Sequence, residues 1–400
     1  MSMKETIAKG QEYIMDTYTR FPLALSHGEG VYVYDEDGNQ YLDFVAGIAV
    51  NSLGHNDPDL VAAIAAQAGK MLHVSNLYWT KPQVELAEKL VKHSCFHQAF
   101  FCNSGAEAVE GALKMARKYA DKKGTGRYEI ISMEHSFHGR TMGAVTATGQ
   151  PKYQKGLSPL LPGIVHVPYN DFEAVKNAVT ERTCAILIEP LQGEGGIRPA
   201  QKEYLQKLRS LCDELDILLM YDEVQCGMGR TGRLFAYEYF GVAPDVIAMA
   251  KGAAGGVPIG ILMAVQKAAE AFAPGDHAST FGGNPLATAA ANVVLDKLTA
   301  GPLLENVKQQ GAYLKTRLAQ LAETSPLVQE ARGIGLLQGI QLTVPAGPII
   351  NVCITQGLLL ANAGPDVIRF VPPLIISQSE LEKGLAILTE ALKEAEAAQN

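Results

Sequence analysis

Two residues of this 400-residue chain stand at the ends of apolar, strand-like segments, and together they could do chemistry. Lys251 follows the run DVIAMA and precedes small residues, and Asp222 ends the run LLMYD. An amine and a carboxylate so placed are what pyridoxal phosphate chemistry requires. The amine bonds the cofactor aldehyde, and the acid keeps the pyridine nitrogen protonated so that the ring can accept electrons. The two residues therefore predict a pyridoxal phosphate site.

The elements that must position these residues are visible as short apolar runs. The runs lack in/out alternation, which favours strands buried on both faces, and they lie at 99–102, 129–133, 164–169, 184–189, 217–222, 246–250 and 261–265. Amphipathic segments such as 203–215 separate several of them. This alternation predicts an α/β fold with a mostly parallel sheet covered by helices.

The length of the chain predicts a large α/β domain with a smaller α+β domain attached. The pattern changes near residue 299, after which long helical segments alternate with a few strands. We expect an N-terminal segment over 1–58 that packs with the small domain and a dimer partner. We expect the large cofactor-binding domain over 59–298 and the small domain over 299–400.

Composition narrows the function classes. A net charge of −8 without a Lys/Arg cluster argues against a nucleic-acid partner. The six cysteines form no CxxC pair, which excludes a zinc ribbon and a thioredoxin motif and fits buried thiols in a reducing compartment. No apolar run approaches the roughly 20 residues of a membrane span, and the polar start lacks a secretory h-region. We expect a cytoplasmic protein without a membrane partner.

Polar residues follow several of the predicted strands, where ligands of α/β sheets gather. Ser104 and Glu107 have the spacing of a capping box ahead of an amphipathic helix. Gly105 and Ala106 are small enough to leave the first-turn amides exposed, so the helix could bind a phosphate. Taken alone, the pattern also describes an ordinary capped helix.

The next strand is followed by an aromatic ring, an arginine and two histidines. Phe137 could stack on a flat ring and Arg140 could grip a carboxylate, although a core aromatic and a surface ion pair are the simpler interpretations. His135 and His138 have metal-ligand spacing, but no third ligand lies nearby in the sequence, so no metal is expected.

Two further patterns suggest other enzyme classes. Glu189 and Glu194 could form a glycosidase pair, but both stand in one Gly-rich loop rather than on opposite walls. Residues 227–232 spell GxGxxG, which would suit a nicotinamide oxidoreductase. However, no helix start or suitably spaced acid follows, so we interpret that loop as structural. Ser279 and Thr280, which precede two glycines, could add hydroxyl donors for a phosphate.

Taken together, these segments resemble the class III aminotransferases of the fold-type I pyridoxal phosphate enzymes. The matching runs extend almost end to end, at 17–30, 41–55, 136–153, 188–196, 222–238, 279–287 and 368–377. Within the family they are most similar to enzymes that act on N2-acetylornithine. The resemblance implies transamination between that donor and 2-oxoglutarate, in arginine biosynthesis, by a homodimer with its active site at the interface.

The resemblance also implies how the cofactor is held. Lys251 would bond its aldehyde, Asp222 would pair with the ring nitrogen, and Gln225 would bond the ring hydroxyl. Phe137 and Val224 would cover the two faces of the ring. The phosphate would be bound by Ser104, Gly105 and Ala106, with Thr280 reaching in from the partner subunit. Ala106 replaces a threonine that is common in the family, so the backbone amides must suffice there.

For the substrates, the resemblance implies that Arg140 binds the distal carboxylate, with Ser279 nearby. Glu194 and Arg369 would pair when the donor has no carboxylate beside its reacting amine, and Arg369 would be free for 2-oxoglutarate. Ile48 stands where ornithine aminotransferases place a tyrosine, which favours a blocked donor over free ornithine. Succinyldiaminopimelate, succinylornithine and 4-aminobutyrate aminotransferases remain alternatives, as does a binding protein without activity.

Overall fold

The computed structural model describes residues 2–398, in which the chain alternates helices and strands throughout. The helices are α1 (Met3–Tyr13), α2 (Ala46–Ala49), α3 (Pro58–Ala68), α4 (Lys81–Lys92), α5 (Gly105–Lys122), α6 (Met142–Ala147), α7 (Pro151–Gln154), α8 (Phe172–Ala178), α9 (Lys202–Leu215), α10 (Ala236–Phe240), α11 (Gln266–Ala269), α12 (Pro285–Ala300), α13 (Leu303–Thr324), α14 (Ala346–Thr355) and α15 (Gln378–Ala397), with a 3-10 turn at Lys251–Ala253. The strands are β1 (Leu25–Glu29), β2 (Tyr32–Asp35), β3 (Gln40–Asp43), β4 (Gln98–Cys102), β5 (Glu129–Met133), β6 (Ile164–Val167), β7 (Thr183–Ile188), β8 (Leu191–Gln192), β9 (Arg198–Pro199), β10 (Leu218–Asp222), β11 (Val246–Met249), β12 (Gly260–Ala264), β13 (Val328–Ile334), β14 (Leu337–Leu342), β15 (Leu358–Leu359), β16 (Ala361–Asn362) and β17 (Val367–Phe370).

The central sheet confirms the predicted fold class. Its seven strands, in the order β4-β12-β11-β10-β7-β5-β6, correspond to the seven apolar runs in the sequence. All are parallel except β12, which pairs antiparallel with both β11 and β4. Five of the strands are buried at every position. Burial on both faces explains why these runs are mostly apolar and lack an in/out alternation of polar and apolar residues.

The sheet brings the chemically active residues to one edge. Asp222 pairs with Ala248 in the register of β10 and β11, so Asp222 and Lys251 end neighbouring parallel strands. Strand β7, on the other side of β10, leads into Glu189. In parallel strands the carboxyl ends lie together, and ligands bind there.

Three smaller sheets accompany the central one within residues 2–398, and one of them is the two-stranded pair β8-β9. Strands β2 and β3 form a hairpin whose turn contains Gly38 at φ +86°, a conformation that glycine adopts without strain. Strand β3 also pairs with β15, so the N-terminal segment shares a sheet with the last third of the chain. The third sheet, β13-β14-β17-β16, holds Arg369 on β17. The domain boundaries at 58 and 298 stay a prediction.

Candidate active site

A cavity of about 440 Å³ lies at the carboxyl edge of the central sheet. Its volume is within the range of small-molecule sites. The structure brings most of the predicted residues into its lining, namely Ser104, Gly105, Ala106, Phe137, Arg140, Glu194, Asp222, Val224, Gln225 and Lys251. A larger cavity of about 680 Å³ shares Glu194 but contains neither Lys251 nor Asp222. The chemistry of the lining therefore identifies the site better than the volume does.

Lys251 opens the 3-10 turn that follows β11, and its backbone is strained. Its φ is +39°, in the left-handed region that residues with a side chain rarely adopt. Such strain is concentrated at functional sites. Burial lowers the pKa of the Lys251 amine, and the nearby carboxylate of Glu194 opposes this effect. A lysine in this setting is more readily deprotonated than an exposed one.

Asp222 is held from two sides. Its Oδ1 atom accepts the backbone N–H of Val224 at 2.9 Å, and its Oδ2 atom lies 2.7 Å from Nδ1 of His138. Both side chains are buried. The sequence suggests only metal binding for His138, whereas its partner in the structure is a carboxylate. In residues 2–398, no three side chains of metal-binding type form a group.

The start of α5 has the features of an anion site, although its capping differs from the prediction. Oγ of Ser104 accepts the backbone N–H of Glu107 at 3.2 Å, as expected for the N-cap. The Glu107 carboxylate, however, accepts the backbone N–H of Asn103 at 2.5 Å instead of that of Ser104. The side-chain amide of Asn103 also donates to this carboxylate and draws it one residue upstream. The amides of Gly105 and Ala106 have no acceptor within the helix.

Gly105 also provides space. A Cβ atom at this position would lie 2.7 Å from Cγ1 of Val224, closer than van der Waals contact permits. The absent side chain therefore leaves room between the start of α5 and Val224.

Glu189 is a buried residue whose role the sequence did not reveal. One of its oxygens accepts the backbone N–H of Phe137 at 3.0 Å, and the other accepts that of Gly193 at 3.4 Å. Burial raises its pKa, and the charge of Asp222 adds to the effect. Glu189 thus fixes two loops of the site, the one that carries Phe137 and the one that carries Glu194. A carboxylate bonded to backbone amides was not predictable without the fold.

Arg140 lies at the cavity among aromatic rings. Its guanidinium is 4.1 Å from the ring centre of Tyr153 and 5.6 Å from that of Phe137. The two rings meet edge to face. Within residues 2–398 no carboxylate forms an ion pair with Arg140, so a surface ion pair does not explain it. The side chain is exposed and available for an anion.

Glu194 and Arg369 form an ion pair, although they are far apart in sequence. Glu194 lies in the turn between β8 and β9, and Arg369 lies buried on β17. Gln225 bonds both residues, donating to Glu194 at 3.2 Å and accepting from Arg369 at 3.0 Å. Burial alone would raise the pKa of Glu194. Arg369, Lys251 and the bond from Gln225 hold it below its usual value.

Ser279 and Thr280 are not among the residues that line the cavity. Oγ of Ser279 accepts the backbone N–H of Gly282 at 2.9 Å and the side-chain amide of Asn103 at 3.2 Å. It therefore supports Asn103 at the edge of the cavity. Thr280 is exposed on the surface of the single chain.

The sequence pattern of class-III aminotransferases matches residues 13–392. The chain belongs to this family. The acetylornithine aminotransferase of Gloeobacter violaceus is 57% identical over 94% of this chain and 95% of its own length. The acetylornithine aminotransferase of Methanocaldococcus jannaschii is 47% identical over 98% of this chain and 99% of its own length.

Solved structures place this class-III aminotransferase in the same fold. The N-acetylornithine aminotransferase of Stenotrophomonas maltophilia is 40% identical, with a TM-score of 0.84, and the match covers 98% of this chain and 100% of that one. The ornithine aminotransferase of Toxoplasma gondii is 30% identical, with a TM-score of 0.95, and the match covers 100% of this chain and 96% of that one. Because the higher TM-score belongs to the less identical protein, backbone similarity alone does not separate the two substrates.

Class-III aminotransferases depend on pyridoxal phosphate, and the cavity fits that cofactor. The amides of Gly105 and Ala106 would suit its phosphate, and the Asp222 carboxylate would suit its ring nitrogen. The GxGxxG loop at 227–232 contains no helix start, since α10 begins only at Ala236.

Among the helices of residues 2–398, none combines the length and the apolar character that a membrane span requires.

Proposed function

We propose that this class-III aminotransferase transfers the amino group of N2-acetyl-L-ornithine to 2-oxoglutarate. The products are N-acetylglutamate 5-semialdehyde and glutamate, and the reaction serves arginine biosynthesis. The observation that carries the proposal is the Glu194–Arg369 pair beside Lys251. The high identity to acetylornithine aminotransferases from distant organisms supports the choice of donor.

The Glu194–Arg369 pair suits an enzyme with two unlike substrates. The acetylornithine carbon that loses its amine bears no carboxylate, so Arg369 keeps its bond to Glu194 in that half-reaction. Glutamate and 2-oxoglutarate have a carboxylate beside the reacting carbon, and it can replace Glu194 on the guanidinium. A buried guanidinium left without an anion is costly, so the exchange keeps Arg369 paired in both halves of the cycle.

Arg140 is proposed to bind the carboxylate far from the reacting carbon. Both substrates have such a group, so Arg140 serves both halves of the cycle. The planar guanidinium forms bidentate bonds to carboxylates, and the Tyr153 ring at 4.1 Å holds its plane. The absence of a competing ion pair within the described residues supports this role.

The cofactor is proposed to lie with its phosphate at the start of α5, with help from the Ser104 hydroxyl. Phe137 and Val224, which both line the cavity, would cover the faces of the ring. Asp222 would pair with the ring nitrogen, and Gln225 would bond the ring hydroxyl while keeping contact with Glu194. When bound, pyridoxal phosphate supplies an electron-accepting ring that stabilises negative charge on the reacting carbon.

Lys251 is proposed as the base. Burial favours the neutral amine, and a neutral Nζ can take the proton from the carbon that bears the transferred amine. The same atom, once protonated, can return the proton later in the half-reaction. Glu194 and Asp222 limit this effect because their charges favour the protonated amine.

Ile48 supports a donor whose second amine is blocked. This residue is 42% exposed and adopts φ +64°, a strained conformation for a β-branched residue. An apolar side chain offers no partner to a free second amine, so it disfavours ornithine. Succinylornithine and succinyldiaminopimelate also have a blocked second amine, and 4-aminobutyrate has no second amine. These donors are the alternatives to be tested.

We also propose that the enzyme is a homodimer with Thr280 serving the partner's phosphate site. Supporting this, Leu77, Tyr78 and Trp79 are largely exposed, with Trp79 at 91%. Asn76 joins this segment to the turn that holds Ser279 and Gly282. A joined apolar surface of this kind favours a protein partner.

The six cysteines are free thiols, which is compatible with the expected cytoplasmic location.

The test is a steady-state comparison of amino donors with 2-oxoglutarate as acceptor. The donors are N2-acetylornithine, N2-succinylornithine, N-succinyldiaminopimelate, 4-aminobutyrate and ornithine, and Lys251→Ala provides the background rate. We expect N2-acetylornithine to have the highest kcat/KM and ornithine a much lower one. A higher kcat/KM for any of the other four donors would contradict the proposal.

A further inference from the structure

Glu110, in the first half of α5, bonds the chain just after Arg140. Its Oε1 atom accepts the hydroxyl of Thr141 at 2.6 Å and the backbone N–H groups of Gly143 and Ala144 at 2.9 and 3.2 Å. These two amides belong to the first turn of α6, where N–H groups lack partners inside the helix. An N-cap side chain usually accepts such a bond, whereas the Thr141 hydroxyl donates to Glu110 instead. Glu110 therefore caps α6 from a different helix.

The sequence leaves room for this contact. A Cβ atom on Gly143 would overlap the carboxylate of Glu110, so the close approach requires glycine at that position. Glu110 is half-buried, and Gly143 and Ala144 are buried. Hydrogen bonds to a carboxylate are stronger than bonds between neutral groups, so Glu110 holds the start of α6 firmly against α5.

The chain just before Arg140 is also fixed on α5. Gly139 adopts φ +129°, and a Cβ atom there would lie 2.7 Å from Cβ of Ala106, so its backbone packs directly against the first turn of α5. Ala106 and Glu110 are four residues apart, which places them on one face of the helix. That face contacts the chain on both sides of Arg140, whose own side chain is exposed at the cavity.

We propose that Glu110 is a positioning residue that acts through Arg140. The start of α5 is the proposed phosphate site, so a loop fixed to the same helix holds the Arg140 guanidinium at a set distance from the cofactor. That distance selects substrates by the separation between the reacting carbon and the distal carboxylate. The proposal rests on the proposed function and on the role of Arg140 in it.

The experiment compares Glu110→Ala with Glu110→Gln. All three bonds end on one oxygen, which the side-chain carbonyl of glutamine can replace and which alanine removes. Asp121→Ala is the matched control, because Asp121 is an exposed acid near the far end of the same helix. The readouts are kcat and KM for acetylornithine and for oxaloacetate, 2-oxoglutarate and 2-oxoadipate, three acceptors of increasing length. Equilibrium dialysis gives the Kd for pyridoxal phosphate.

We expect Glu110→Ala to raise KM for acetylornithine and 2-oxoglutarate roughly three- to tenfold, a part of the ten- to hundredfold loss expected for removing Arg140 itself. The value of kcat should change less, because binding that is alike in the ground state and the transition state appears in KM. The preference for 2-oxoglutarate over the shorter and the longer acceptor should narrow. The Kd for pyridoxal phosphate should not change. Glu110→Gln and Asp121→Ala should behave like the wild type.

Thr141→Val removes one of the three bonds. It should shift KM and the acceptor preference in the same direction to a smaller extent, so it decides the question if Glu110→Ala does not fold. If Glu110 acts through Arg140, the double variant Glu110→Ala/Arg140→Ala should have no higher KM than Arg140→Ala alone.

Four results would overturn the role of Glu110. These are an unchanged KM and acceptor preference in Glu110→Ala, equal defects in the Ala and Gln variants, additive defects in the double variant, or a loss of pyridoxal phosphate affinity as large as the change in KM. A wild-type protein that does not transfer amino groups would instead overturn the proposed function.

Discussion

The Glu194 carboxylate is paired with the Arg369 guanidinium across two sheets, with Gln225 bonded to both residues. Glu194 belongs to the β8–β9 turn beside the central sheet, whereas Arg369 belongs to β17. We propose that a substrate carboxylate that binds Arg369 displaces Glu194. Glu194 and Gln225 both line the cavity that contains Lys251 and Asp222, so the pair borders that cavity.

Reduction with borohydride should fix pyridoxal phosphate onto Lys251. Lys251 lines the cavity, and burial favours its neutral, nucleophilic amine. The purified protein should be yellow, and peptide mapping after reduction should find the label at this position. A label on another lysine would contradict the assignment, and Lys251→Ala should remain unlabelled.

Asp222→Ala should lower turnover by orders of magnitude. The substitution removes the charge that keeps the ring nitrogen protonated, and pre-organised charge at a reacting centre is often the largest catalytic contribution. Turnover should be measured at saturating cofactor, with Asp222→Asn as a variant of similar shape that also lacks the charge. Near-normal rates in either variant would show that Asp222 has another role.

Arg140→Ala should slow both half-reactions to a similar extent. Each substrate has a carboxylate far from the reacting carbon, and loss of a charged hydrogen bond costs roughly 1.5–3 kcal/mol, about ten- to a hundredfold. Single-turnover rates with acetylornithine and with glutamate provide the measurement. An effect confined to one substrate would assign Arg140 to that substrate alone.

The fold was largely predictable because buried parallel strands leave a simple signal. The run 246–250 is apolar at every position, and the strand that it forms is buried at every position. The sequence also placed Lys251 and Asp222 at strand ends, and the register of β10 and β11 makes these ends neighbours.

The site was less predictable wherever a side chain bonds something distant in the chain. His138 lies 84 positions from Asp222, and no local pattern links them. Glu189 bonds the backbone of Phe137, so its residue type does not identify its partner. The Ser104–Glu107 spacing predicted a reciprocal capping box, but Asn103 drew the Glu107 carboxylate away. The Glu194–Arg369 pair was predicted only from the family resemblance, because the two residues lie on separate elements and no local pattern links them.

Glu194→Ala should leave Arg369 permanently available to a substrate carboxylate. Preference should therefore shift towards glutamate relative to acetylornithine, as measured by the ratio of the two single-turnover rates. Glu203→Ala is the control, because Glu203 is exposed on α9 and its removal should leave the ratio unchanged. An unchanged ratio in Glu194→Ala would show that the pair does not control substrate choice.

The measurement that tests the account most directly is the single-turnover rate of Arg369→Ala in each half-reaction. We predict that the glutamate half-reaction slows about ten- to a hundredfold, because it loses the bond to the carboxylate beside the reacting carbon. The acetylornithine half-reaction should slow much less, since that donor does not use Arg369. Equal slowing of both half-reactions would contradict the account and make Arg369 a structural ion pair.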